Sequence, residues 1–166
     1  MKQVDQIARL MDAICENYML AMPGQPWAPM YNADNSVTTH CNQFVNGVAK
    51  SLNYFSFWPS NAVNPMVATE IYAFVWGSSD WTNITGDVAQ SHANTGAFVL
   101  AVQDGQPHGH VCVIRPGTLI TSTKWNKPVP KCANVGATVF IDKGVNWAFG
   151  DKEPSYFVLN STLGAV

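Results

Sequence analysis

Long apolar runs are missing from this 166-residue chain: no stretch approaches the roughly 20 apolar residues that a membrane-crossing helix needs. Charge is scarce too, with 12% charged residues, nine Lys and Arg scattered along the chain and a net charge of −2. Binding to a nucleic-acid backbone draws on clustered cations that release counterions, so nucleic acid is not an expected partner. Cysteine is sparse. The four present, Cys15, Cys41, Cys112 and Cys132, contain no C-x-x-C pair and are too few for a disulfide framework in a chain of this length. The opening stretch "MKQVDQIARLMDAICENYMLAM" carries Asp5, Arg9, Asp12 and Glu16 through what would be the apolar core of a leader. A cleaved secretion signal is therefore not expected, and action outside the cell would need another export route.

What is abundant is core-forming material, at 47% hydrophobic residues of which many are aromatic, set against an Asn/Ser/Thr/Gly-rich polar remainder. That composition describes a globular protein. The length suits one domain over residues 1–166 that buries its own core, and no repeat, low-complexity tract or linker divides it.

Val4, Ile7, Met11, Ile14, Cys15 and Tyr18 recur at helical spacing and predict an amphipathic helix over 4–18, with Cys15 on its apolar stripe as inert core. "MPGQPWAPMYNADNS" over 22–36 is rich in Pro, Gly, Asn and Asp, so it reads as a loop leading to Cys41. Phe44, Val45, Val48 and Leu52 then form one face of a second helix. In "SNAVNPMVATEIYAFVWG" a third helix is expected, with Asn64 as cap, Pro65 in the first turn and Gly77 as stop. "GDVAQSHANTG" suits a short fourth. After Gly96 the period changes to that of strands: "AFVLAV", "HVCVIRP", "CANVGATVFI" and "SYFVLN". Helices followed by strands argue for an α+β fold with N-terminal helices packed on an antiparallel sheet.

Cys41 shares a helical face with Phe44, Val45 and Val48. Taken alone, a cysteine on such a stripe is more often a buried, protonated thiol. Its place in the first turn argues otherwise, because unpaired backbone N–H groups and the positive end of the helix dipole favour thiolate. His40 is its neighbour in sequence, and adjacent helical residues do not face each other, so His40 is assigned to the surface or to a loop lining. A better base stands in "PHGHVCVIRPG". Alternation puts His110, Cys112 and Ile114 on one strand face and Val111, Val113 and Arg115 on the other, with His110 at the strand's mouth. A histidine there is costly unless partnered. His108 is on the preceding loop, and His92 falls on a polar helix and reads as solvated. Zinc on His108, His110 and Cys112 is a weaker alternative, because same-face strand residues stand about 6–7 Å apart and Cys112 should point into the core. No metal and no cofactor is expected.

"HCNQFVNGVAKSL" and "GHVCVIRPG" resemble the paired motifs of the NlpC/P60 and CHAP cysteine peptidases, in which a cysteine with Phe-Val three residues on opens a helix and a "GHVAVV"-like strand supplies a histidine. More closely, the chain resembles the family 1 type VI secretion amidase effectors, through Cys41 to Val45, Gly109 to Ile114, "VPKCANVG" and "PSYFVLN" in that order. Asn42 and Gln43 stand where that family has Ser-Gly, and the segment from Tyr54 to Ser91 matches only loosely.

The resemblance implies a papain-like (NlpC/P60-type) fold, with Cys41 as nucleophile and His110 as general base, forming an ion pair before protonating the leaving amine. A third polar group should orient the imidazole. Asn134 is the choice, since it falls on the strand expected next in the sheet and its amide oxygen can accept the ring's other N–H. Cys132 is assigned to packing, with a pairing to Cys112 left open. The implied substrate is the peptide stem of peptidoglycan, cut at the γ-D-glutamyl–diaminopimelate amide. Partners would be a secretion apparatus that carries the protein from the cytoplasm to a target cell's periplasm and a cognate immunity protein. A CHAP-type phage endolysin is the alternative among enzymes. A catalytically inactive wall-binding module, using the six tryptophans and five tyrosines as a stacking surface, is the alternative outside them.

Overall fold

The computed structural model describes residues 3–20, 29–34, 36–105 and 108–160. Its elements are α1 (Gln3–Leu20), β1 (Met30–Tyr31), β2 (Val37–Thr38), α2 (Cys41–Ser51), α3 (Ala68–Gly77), β3 (Trp81–Ile84), α4 (Gly86–Asn94), β4 (Val99–Gln103), β5 (His110–Ile114), β6 (Ile120–Ser122), β7 (Lys127–Val129), β8 (Lys131–Val135), β9 (Val139–Gly144), α5 (Asn146–Phe149) and β10 (Ser155–Leu159). Six strands form the main sheet in the order β3-β10-β4-β5-β8-β9, and every pairing in it is antiparallel. The α+β class with an antiparallel sheet is therefore present.

The sheet separates two apolar clusters, as the strict alternation of its strands dictates. On one face Met11 and Cys15 of α1, Phe44, Val45 and Val48 of α2, and Ile71 and Val75 of α3 pack on Leu100, Val102, Val111 and Val113. On the other, Ala89 and Ala93 of α4 and Phe149 of α5 pack on Val99, Ala101, Cys112, Ile114 and Cys132. The expected division of β5, with Val111 and Val113 facing one way and Cys112 and Ile114 the other, is what the clusters display. Arg115 follows the first face and is buried; Asp12 and Glu16 of α1 pair with its guanidinium, and the Ile141 carbonyl accepts from it. A buried guanidinium is tolerable only with such partners, and here they tie α1 to β5 and β9.

Several expectations are adjusted. The third helix starts at Ala68, four residues after the expected cap Asn64, because the Glu70 carboxylate accepts the backbone N–H of Val67 at 2.9 Å and so sets the first turn. Residues before it form turns, held by the Trp58 indole donating to the Ala62 carbonyl at 2.9 Å and the Asn42 amide donating to the Met66 carbonyl at 3.0 Å. "CANVGATVFI" is two strands, β8 and β9, joined by a tight turn through Gly136. The loop expected over 22–36 lies partly outside the described residues; its described part contributes β1 to a small hairpin with β2. β3, β6, β7 and α5 were not anticipated. β3 is short and half polar, and it becomes a strand through its pairing with β10.

Candidate active site

Two close approaches build the mouth of β5. Gln103 of β4 pairs with His110. A side chain on Gly109 would put its Cβ 2.5 Å from the Gln103 carbonyl oxygen and 3.3 Å from the backbone N of Thr69, so only glycine lets this segment lie against both β4 and the start of α3. His110 follows, partly buried, with its ring against that of Phe149 at a centroid separation of 5.0 Å.

The imidazole is held by the neighbouring strand. His110 Nε2 lies 2.6 Å from Asn134 Oδ1 on β8, and Asn134 is buried. The amide's orientation follows from its other end, where Nδ2 donates to the Thr138 carbonyl at 2.8 Å. A carbonyl can only accept, so the amide nitrogen must face Thr138 and the oxygen must face the histidine. That oxygen can only accept in turn, which puts the neutral ring's proton on Nε2 and leaves Nδ1 as the basic atom. Asn134 thus supplies the contact expected of it, on the expected strand.

Cys41 is the first residue of α2, with His40 as N-cap and no side-chain cap, so the helix's leading N–H groups are not taken up by a capping side chain. The thiol is faced by the N–H of Val111, the residue after His110, by the N–H groups of Asn42 and Cys41 itself, and by the Thr39 hydroxyl. Cys41 and His110 therefore both flank the N-terminal end of β5. All four donors favour thiolate, as the helix position led one to expect. Burial opposes them and prevails, pushing the Cys41 thiol above its ordinary value. His110 shifts downward, again because burial outweighs the bond from Asn134. Both directions favour the neutral forms of the thiol and the imidazole, whereas the expectation from sequence is a thiolate–imidazolium ion pair.

The remaining candidates separate from this site. His108 and His92 are exposed. Cys112 points into the opposite cluster and its thiol is hydrogen-bonded with that of Cys132. His108, His110 and Cys112 consequently do not form one donor set, and among the described residues no group of three His, Cys, Asp or Glu side chains is placed to hold a metal. All four cysteines are free. Cys15 is core, and burial pushes its thiol up to about 12. Sequence reasoning missed Thr39, Val111, Thr138 and Phe149; Val111 and Thr138 act through backbone groups, which leave no signature in residue type.

A cleft of about 520 Å³ between β3, β10, β7 and the start of α4 lies apart from these residues. Lys127 and Glu153 pair within it, and neither Cys41, His110 nor Asn134 lines it. Among the described residues no helix is long and apolar enough to cross a membrane. The chain matches no protein-family model and no curated protein.

Proposed function

We propose that the protein is a cysteine amidase or endopeptidase that cuts the peptide stem of peptidoglycan, with Cys41 as nucleophile, His110 as base and Asn134 as the group that orients it. The observation that carries this reading is the oriented imidazole, with Nε2 bound to Asn134 and Nδ1 left basic at the strand end whose next N–H faces the Cys41 sulfur. Nδ1 takes the thiol proton as sulfur attacks the scissile carbonyl. The imidazolium then protonates the leaving amine, and the thioester is hydrolysed by a water that gives its proton to the same nitrogen. Because thiol and imidazole start neutral, proton transfer accompanies attack and does not precede it. A papain-like, NlpC/P60-type arrangement belongs to the same proposal, as do the γ-D-glutamyl–diaminopimelate bond, delivery by a type VI secretion machine and protection of the producer by an immunity protein.

The test is mass spectrometry of muropeptides after incubation of purified sacculi with the protein. The expected product is a shortened stem with a new amine and a new carboxylate; unaltered muropeptides would refute the proposal. Directed to the periplasm of a Gram-negative cell, the protein should lyse it, and kept in the cytoplasm it should be nearly harmless. Equal toxicity in both compartments would point away from the wall. A wall-binding module without catalysis is the second reading, favoured by the burial of Cys41 and by the exposed rings of Trp76 and Trp147. It requires sacculus binding with no product.

A further inference from the structure

We propose that Gly136 is a positioning residue for His110: the absence of a side chain there leaves the slot in which the imidazole keeps Nε2 on Asn134 and Nδ1 free, a role that rests on the reading of His110 as the base. Gly136 stands in the turn between β8 and β9, two residues after Asn134. A Cβ built on it would lie 2.8 Å from His110 Cε1, 3.3 Å from His110 Nε2 and 3.3 Å from Asn134 Nδ2. Real Cβ atoms do not come within 3.0 Å of such a neighbour, and the atom met first belongs to a stiff ring. The backbone of Gly136 is not among the positive-φ glycines, so the turn does not require glycine for its conformation. Space is the remaining reason.

The same turn also holds the amide. The Thr138 carbonyl accepts the Gly136 N–H at 3.1 Å and the Asn134 Nδ2 at 2.8 Å, so one oxygen anchors the residue beside the ring and the residue that orients it. The imidazole also packs on Phe149, which limits how it could retreat from an added methyl. Displacing it lengthens the Nε2–Oδ1 contact, and with that contact weakened the proton is no longer confined to Nε2.

The experiment compares the full chain with Gly136→Ala, using Gly77→Ala as control because a Cβ on Gly77 meets nothing within 4 Å. Imidazole ¹⁵N resonances of His110 are read at pH 8, together with kcat and KM on purified peptidoglycan. Expected for the parent and for Gly77→Ala is a ring protonated at Nε2. Expected for Gly136→Ala is a mixture of tautomers and a kcat lower by about tenfold to a hundredfold, the scale of a misplaced catalytic group, with KM little changed. Retained Nε2 protonation and parental kcat in Gly136→Ala would overturn the proposal. If Gly136→Ala loses its fold, the double variant Gly136→Ala/His110→Ala decides, because removing the ring removes the collision: recovery of the fold upholds the proposal, and failure to recover places the defect in the turn and overturns it. A tautomer change in a protein whose parent releases no muropeptide would leave the positioning role standing and refute the proposed function alone.

Discussion

Cys41 and Cys112 are both buried thiols packed against β5, on opposite sides of the sheet. Burial pushes both above the ordinary thiol value. Their surroundings differ in kind. Cys41 opens a helix, meets three backbone N–H groups and a hydroxyl, and retains 5% of its surface; Cys112 is 0% exposed and its thiol meets another thiol, which raises it further. Burial alone thus fails to separate a candidate nucleophile from packing. Donors aimed at the sulfur distinguish Cys41 from Cys112.

The largest expected break in that comparison comes from alanine at each thiol. Cys41→Ala should abolish muropeptide release while the thermal unfolding curve stays close to the parent's, since alanine is readily accommodated in a helix. Cys112→Ala should keep release and lower stability by about 1–2 kcal/mol, the scale of a small core truncation, measured by denaturant unfolding. Parental turnover in Cys41→Ala would assign the chemistry elsewhere.

Next in size are the residues proposed to act with Cys41. Loss of a general base typically costs about 10²–10⁴ in rate, so His110→Ala should fall by that much, read from initial rates on sacculi. Asn134→Ala keeps the base and loses its orientation; a smaller drop, on the order of tenfold to a hundredfold, is expected. An Asn134→Ala enzyme as fast as the parent would remove the amide from the site.

A smaller contrast concerns reagents. Iodoacetamide should modify Cys41 ahead of Cys112 and Cys15 in the folded protein, with peptide mapping as readout, and because burial raises the Cys41 thiol the rate should keep climbing above pH 9. A plateau near neutral pH would restore the resting ion pair.

The smallest effect is on stability against pH. His110 has a folded value below its ordinary 6.5, so in acid the unfolded chain takes up a proton that the folded one refuses. The neutral ring's contribution is therefore present above about pH 6.5, the ordinary histidine value, and is lost as pH falls toward the folded value. His110→Gln should flatten that part of the acid limb in denaturant titrations, whereas Cys112→Ala should leave it unchanged. Identical slopes for His110→Gln and the parent would contradict the shift.

Much of this architecture was legible from local pattern. The spacing of Met11, Cys15, Phe44, Val45 and Val48 is the spacing of residues that point one way from a helix, and all of them enter one cluster. Alternation along β5 assigned Val111 and Cys112 to different faces, and the order of the β-rich runs put Asn134 on a following strand that does pair with β5. The start of α3 was not legible. Asn64 and Pro65 are good local signals, but the Glu70 carboxylate satisfies the Val67 N–H and begins the helix later. β3 was equally hidden, since a four-residue segment with two exposed positions becomes a strand only when β10 offers it a ladder.

By itself, the sequence determined which residue types could do chemistry and which face of its element each occupies, because periodicity and the first turn of a helix are local properties of the chain. Tertiary structure decided the rest. It aimed the Val111 N–H at Cys41, set the Asn134 amide oxygen on His110, left no room for a side chain at Gly136 and buried the thiol and the imidazole so that their neutral forms are favoured. Each depends on distance and dielectric between elements far apart in the chain, and those come into being only when the sheet and helices close around them.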